Sequence, residues 1–196
     1  MAARRRVADK PTLEGELVRL RPIESRDADG MWELVTDPQS RRMTGTVATF
    51  TREGVARWCA DAHRAEGRVD LAVTAGGSDE YLGEIVLSGI DEAHGSAELR
   101  LALRPGSRGR GYGTEAIGLV LGLAFDGYGL HRVGLDVLAI NPRAQALYEG
   151  VGFRVEGRLR EAYRDGDRWC DAVVMGILED EFRAAAGDRD EGRGLR

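Results

Sequence analysis

The residues most able to do chemistry in this chain form one short run, Arg108-Gly109-Arg110-Gly111-Tyr112-Gly113-Thr114. Glycines let a backbone turn sharply and aim successive N–H groups at one point, and a helix beginning there adds roughly half a positive charge. Arg108 and Arg110 bring cationic donors suited to a pyrophosphate. The run therefore predicts a phosphorylated cofactor held by Arg108, Gly109, Arg110, Gly111, Tyr112, Gly113 and Thr114. It is not one of the nucleotide loops. No Gly-Lys-Ser/Thr follows, and Thr114 stands where a dinucleotide GxGxxG needs its third glycine after Gly109 and Gly111. A tight loop that binds nothing would share this composition, so the surrounding elements decide.

Before the run, Ala97, Leu99, Leu101 and Leu103 alternate with Glu98, Arg100 and Ala102, the pattern of a strand with one apolar face. After it, residues 114–125 are apolar nearly all round, predicting a largely buried helix. Gly118 and Gly122 lie one turn apart there, and a close approach by a neighbouring element is expected to justify them. Residues 131–138 alternate again, with Val133, Leu135 and Val137 on one side. A strand, buried helix, strand succession requires a parallel crossover.

Upstream, a strand over 17–21 ends at Pro22, and Ser25 is placed to cap a helix that stops before Pro38. Residues 37–49 are polar and read as an irregular loop. Thr51 caps a second helix to about residue 65, with Phe50 stapled onto Val55. Strands over 71–74, 81–90 and 97–103 make an antiparallel meander. Downstream, Asn141-Pro142 opens a short helix that ends near 150–152. Strands over 153–163 and 169–178 flank an Asp165-Gly166-Asp167 turn, and a terminal helix follows over 178–186.

Composition bounds the function. The chain has 196 residues, 42% apolar and 31% charged, which suits one soluble α/β domain, and no apolar run nears the ~20 residues that span a bilayer. We divide it into a disordered basic tail over 1–12, a single domain over 13–186 and a disordered C-terminal tail over 187–196. The start lacks the apolar stretch of a secretory signal. Lys10 is the one lysine, which excludes a P-loop lysine and Schiff-base chemistry in the domain. Cys59 and Cys170 stand outside any disulfide or metal-ligand spacing, so no metal is expected and a reducing cytoplasm fits. A net charge of −5 argues against a nucleic-acid partner and favours a cationic one; no membrane partner is expected.

Three stretches, AELRLALRPGSRGRGYGTEAIGLVLGLAF, LHRVGLDVLAINPRAQALYEGVGF and RDGDRWCDAVVMGIL, resemble in order and motif the GNAT superfamily of N-acetyltransferases, in particular its RimJ/RimL-type branch. The resemblance runs from about residue 17 to 178. It implies a mixed, mostly antiparallel seven-stranded sheet flanked by helices, whose fourth and fifth strands splay to admit the pantetheine arm of acetyl-CoA. The family loop R/Q-x-x-G-x-G/A falls on Arg108, Gly111 and Gly113. By the same resemblance, backbone groups of Leu101, Ala102 and Leu103 pair with the arm, and one of their N–H groups serves as oxyanion donor. Asn141 matches an asparagine near the cofactor and Tyr148 the tyrosine that protonates the departing thiolate. Seven residues apart, about two helical turns, these can face one cleft. Many branch members carry serine where this chain has Ala144.

A protonated amine cannot attack, so a base is needed. Glu98 occupies the position of an acidic residue frequent in the family and is the expected base, acting through water; Glu84 is the weaker candidate, and His94 is the one histidine placed to meet an acceptor. The acceptor is a primary amine, first the α-amine of a protein or peptide, with polyamines, amino acids and aminoglycoside antibiotics as rivals. A homodimer is compatible with the branch. The competing classes are a non-catalytic acyl-CoA-binding module and a nicotinamide dinucleotide oxidoreductase.

Overall fold

Alternating apolar side chains line the strands, and the chain gathers them into one sheet. The structure is a computed structural model and describes residues 10–185. Its strands are β1 (Leu13–Glu14), β2 (Val18–Pro22), β3 (Val69–Ala75), β4 (Tyr81–Asp91), β5 (Ser96–Leu103), β6 (Arg132–Leu138), β7 (Arg154–Asp165) and β8 (Arg168–Leu178). They lie in the order β1-β2-β3-β4-β5-β6-β8-β7. All neighbours are antiparallel except β5 and β6, the one parallel pair. The seven expected strands are present. The eighth is the two-residue β1, which pairs Leu13 with Leu20 at the sheet edge and is too short to show alternation.

Helices cover the two sheet faces unequally. On one face α4 (Tyr112–Gly122) and α5 (Pro142–Val151) close the main core, where Ile117, Val120 and Leu121 pack with Leu71, Ile85, Leu99 and Val133. On the other, α1 (Ala28–Thr36) and α3 (Arg52–Asp61) seat Met31, Val55 and Cys59 against Ala72 and Tyr81. This second layer rests on β3 and β4, so β6, β7 and β8 keep an open side. Glu115, in the first turn of α4, accepts from the N–H groups of Glu16, Leu17 and Val18 at 2.7–2.8 Å and so ties the glycine-rich corner to the start of β2.

Several local expectations are corrected. Part of the stretch read as an irregular loop is helical: α2 (Pro38–Met43) starts with Pro38 in its first turn and Asp37 accepting from Ser40 N–H at 2.7 Å. Before α1, a 3₁₀ turn over Ser25–Asp27 is boxed by Glu24 and Asp27, so Glu24 takes the capping position given to Ser25. α4 begins at Tyr112, two residues before Thr114, and continues into a π-helical turn over Leu123–Gly127. A Cβ added at Gly118 or Gly122 would meet nothing within 4 Å, so the expected close approach is not there.

Lys10, placed in the basic tail, donates to the Ala62 carbonyl and lies 3.7 Å from the buried Asp70; residues 1–9 and 186–196 lie outside the described residues. Residues 179–185 are helical, with Phe182 against Phe125 at 5.5 Å between ring centroids. Cys59 and Cys170 are both free thiols. Among the described residues, no helix is long and apolar enough to cross a membrane.

Candidate active site

The glycine-rich run forms the corner between β5 and α4. Gly109 and Gly111 adopt left-handed φ values of 74° and 84°, a conformation other residues enter at a cost of about 1–2 kcal/mol. Gly111 is the N-cap of α4 and has no side chain to bond the first-turn amides, which leaves those N–H groups without a side-chain cap at the positive end of an 11-residue helix. Such an arrangement binds phosphate oxygens. Gly113 faces inward instead, where an added Cβ would lie 3.2 Å from Leu101 Cδ2 and from Leu147 Cδ2.

β5 and β6 separate just where that corner needs space. Their pairing covers Ser96↔Arg132, Ala97↔Val133 and Glu98↔Gly134, and then stops. β5 continues to Leu103 bonded to β4, and β6 continues to Leu138 bonded to β8, so each presents a free edge in mid-sheet. The far end is sealed by the N–H groups of His131 and Arg132, which donate to the Gly95 carbonyl at 2.6 and 3.0 Å. A gap of this shape accepts an extended polar arm as an added strand, because unpaired backbone groups would otherwise sit unsatisfied in the interior. Leu101, Ala102 and Leu103 lie on the free edge of β5. The Leu103 carbonyl already accepts from Arg108 Nε at 3.1 Å.

Where pairing ends, a cleft of about 410 Å³ opens on the uncovered face, lined by Glu98, Leu135, Asp136, Leu159, Ala162, Tyr163 and Val174. Glu98 lies over Gly134: a Cβ there would stand 3.0 Å from Oε1 and 3.1 Å from Oε2. Burial pushes the Glu98 carboxyl above its ordinary value; Arg132 opposes the rise, and Asp136 and Glu156 add to it. Asp136 Oδ2 accepts from the Tyr163 hydroxyl at 2.6 Å, a bond that helps push the phenol up to about 12. Glu98 and Asp136 have no ion-pair partner among the described residues, although Glu156, Asp165 and Asp171 nearby are each paired to an arginine. Asp136, Gly134 and Tyr163 were not singled out from sequence. Asp136 was within reach of the same alternation that placed Val133, Leu135 and Val137 on the opposite face.

The other expected residues fall in different surroundings. Tyr148 is 7% exposed, its ring edge-on to Phe153 at 5.7 Å, and burial with the nearby Asp136 pushes its hydroxyl up to about 12. That hydroxyl has no hydrogen-bond partner among the described residues. Asn141 caps α5 by accepting from Ala144 N–H at 3.2 Å, and its amide turns away to donate to the Met43 carbonyl at 3.3 Å. Arg110 is exposed on the corner, whereas Arg108 is engaged by Leu103 and by Ser40 Oγ at 2.6 Å.

Glu84 is buried under α1 and α3, accepts from Arg100 at 2.7 Å and is raised chiefly by burial; it does not line the cleft. His94 sits exposed in the β4–β5 turn, 2.7 Å from Asp91 and outside the cleft. Among the described residues, no group of three or more His, Cys, Asp or Glu is arranged to hold a metal ion.

A mixed sheet split at its single parallel pair, with a glycine-rich corner beside the split, defines the acyl-CoA N-acyltransferase architecture. The chain matches the acetyltransferase (GNAT) domain family over residues 18–154 and belongs to that family. Over 101 residues it is 34% identical to spermidine N(1)-acetyltransferase of Vibrio cholerae serotype O1, a match covering 52% of this chain and only 58% of that relative's length. An uncharacterized N-acetyltransferase, p20 of Bacillus licheniformis, is 26% identical over 175 residues, 87% of this chain and 98% of that one. The crystal structure of the Vibrio cholerae spermidine N-acetyltransferase in complex with CoA and spermine superposes with a TM-score of 0.78 at 24% identity, covering 86% and 99% of the two chains, and shares the fold.

Proposed function

We propose that this acetyltransferase-family chain moves the acetyl group of acetyl-CoA onto a primary amine of a small polycation of the spermidine type. The observation that carries the acceptor class is the pair of carboxylates, Glu98 and Asp136, neither of them in an ion pair among the described residues, in a cleft at the foot of the sheet gap. In an arginine-rich chain, carboxylates spared from ion pairing are available to ammonium groups. The relatives named for spermidine agree with this. The reducing cytoplasm that suits two free thiols agrees as well.

The chain's own features fit acetyl-CoA: uncapped amides at the start of α4 for its phosphates, and the free edge of β5 at Leu101 and Ala102 for its arm. The co-substrate supplies an activated thioester that a neutral amine can attack. An ammonium of pKa ~10 gives up its proton near pH 7 only at a cost of about 4 kcal/mol, and Glu98, its carboxyl raised chiefly by burial, receives that proton. A β5 backbone N–H donates to the developing oxyanion. Tyr148 holds its proton at about 12, against ~8.5 for an ordinary thiol, so complete transfer to a thiolate is uphill by roughly 5 kcal/mol. Its hydroxyl therefore acts by donating a hydrogen bond to the sulfur's negative charge. As the adduct collapses the C–S bond breaks, CoA leaves as the thiolate, and the second proton of the attacking nitrogen passes to solvent water.

Thiol release from acetyl-CoA, followed with spermidine, spermine, a peptide bearing a free N-terminus, amino acids and an aminoglycoside, tests this reading. Spermidine or spermine is expected to give the highest kcat/KM. A preference for the peptide would move the acceptor to a protein α-amine, and CoA binding without turnover of any amine would leave a binding module.

A further inference from the structure

Both ends of α2 are held by groups that belong to the cofactor side of the molecule. At its N-terminal end Arg108 Nη2 donates to Ser40 Oγ at 2.6 Å while Nε of the same guanidinium donates to the Leu103 carbonyl at 3.1 Å. Ser40 in turn donates to Asp37 Oδ2 at 2.6 Å, and Asp37 caps the helix through Ser40 N–H. At the C-terminal end Asn141 Nδ2 donates to the Met43 carbonyl. Arg108 follows β5 and Asn141 follows β6, so α2 bridges the mouth that opens where those strands part.

Beyond the mouth, Arg42 makes two 2.8 Å bonds to Asp165 in the β7–β8 hairpin. Gly45 lies so close to Tyr163 that a Cβ there would be 2.7 Å from its ring. Tyr163 holds Asp136 in the cleft. One chain of contacts thus runs from the phosphate corner through α2 to the acidic cleft.

From this geometry we propose that Arg108 is a positioning residue, fastening α2 to the end of β5 and so placing the acceptor side of the cleft, in contrast to the phosphate contact its motif implies. Ser40 is its partner, buried and with its hydroxyl committed on both sides. The lowered Asp37 carboxyl, held down first by the Ser40 hydroxyl and then helped by Arg108, is consistent with a tightly made clasp. The consequence for catalysis rests on the acceptor reading above; the consequence for α2 does not.

The test uses the full-length protein and the variants Arg108→Ala and Ser40→Ala. Hydrogen exchange of the amides over 39–46, without ligand, is expected to quicken by roughly tenfold or more in Arg108→Ala and by less in Ser40→Ala. Calorimetry with CoA is expected to keep Kd within about threefold of the parent in both. With spermidine as acceptor, KM for the amine rises by about fivefold or more in Arg108→Ala while kcat stays within about twofold. Unchanged exchange in both variants, or a loss of roughly tenfold in CoA affinity in either, overturns the proposal. Should the parent protein fail to acetylate spermidine, the acceptor class falls, and exchange with CoA calorimetry still judge the clasp.

Discussion

Glu98 owes its position to a neighbour without a side chain. Gly134 stands opposite it in the last rung of the parallel pair, and the carboxylate lies close enough to crowd any Cβ placed there. Gly134→Ala pushes only the flexible end of Glu98, so the fold should survive while kcat drops by roughly three- to thirtyfold, as follows from displacing a base by a fraction of an ångström; unaltered turnover would remove Glu98 from the mechanism. Glu98→Gln is expected to lower kcat by about 10²-fold. Because only the ionised carboxylate accepts a proton, activity falls as pH drops through its folded pKa. That value is raised, so the acid limb of the kcat/KM profile lies above the ordinary ~4.3 of glutamate, and the limb disappears in Glu98→Gln. Tyr148→Phe removes one hydrogen bond to a charged group, which predicts a loss of about 10- to 100-fold in kcat with acetyl-CoA KM little altered. Family resemblance nominates Glu98 and Tyr148, whereas no sequence signal points to Asp136 or Tyr163. A residue on the polar face of a half-buried strand looks like any solvated carboxylate until the third dimension shows what shares its cleft.

α4 joins two kinds of glycine that sequence alone treats alike. Gly113 packs against Leu101 and Leu147, whereas Gly118 faces open space. Gly118→Ala should therefore stabilise the protein by up to ~1 kcal/mol through helix propensity. Gly113→Ala should destabilise it by about 1–3 kcal/mol through overpacking. Thermal unfolding of the two variants checks both signs, and Gly118→Ala melting below the parent would contradict the assignment. The strands, α3, α5 and the β7–β8 hairpin were legible because period, caps and turn residues agreed along each stretch. α2 was not, although Asp37-Pro38 is a cap-and-proline start. Six residues carry no readable amphipathic period, and what keeps the helix in place is distant in sequence: Arg108, Asn141 and Asp165.

At the scale of the whole molecule, function follows from one interruption in an otherwise continuous sheet. The single parallel pair is also the pair that stops short, with β5 held on its far side by β4 and β6 by β8. The glycine-rich corner lies on one side of the interruption and the acidic cleft on the other. The sequence showed the crossover, and family resemblance supplied the splay; no local pattern in β5 or β6 announces where their pairing ends. Uneven helical cover, with α1 and α3 over one half of a face only, leaves the cleft open to a second substrate. The most direct test of this account is calorimetric titration of the full-length protein with acetyl-CoA. One molecule bound per chain, with Kd in about the micromolar range, is the predicted result; no detectable binding would contradict the account at its root.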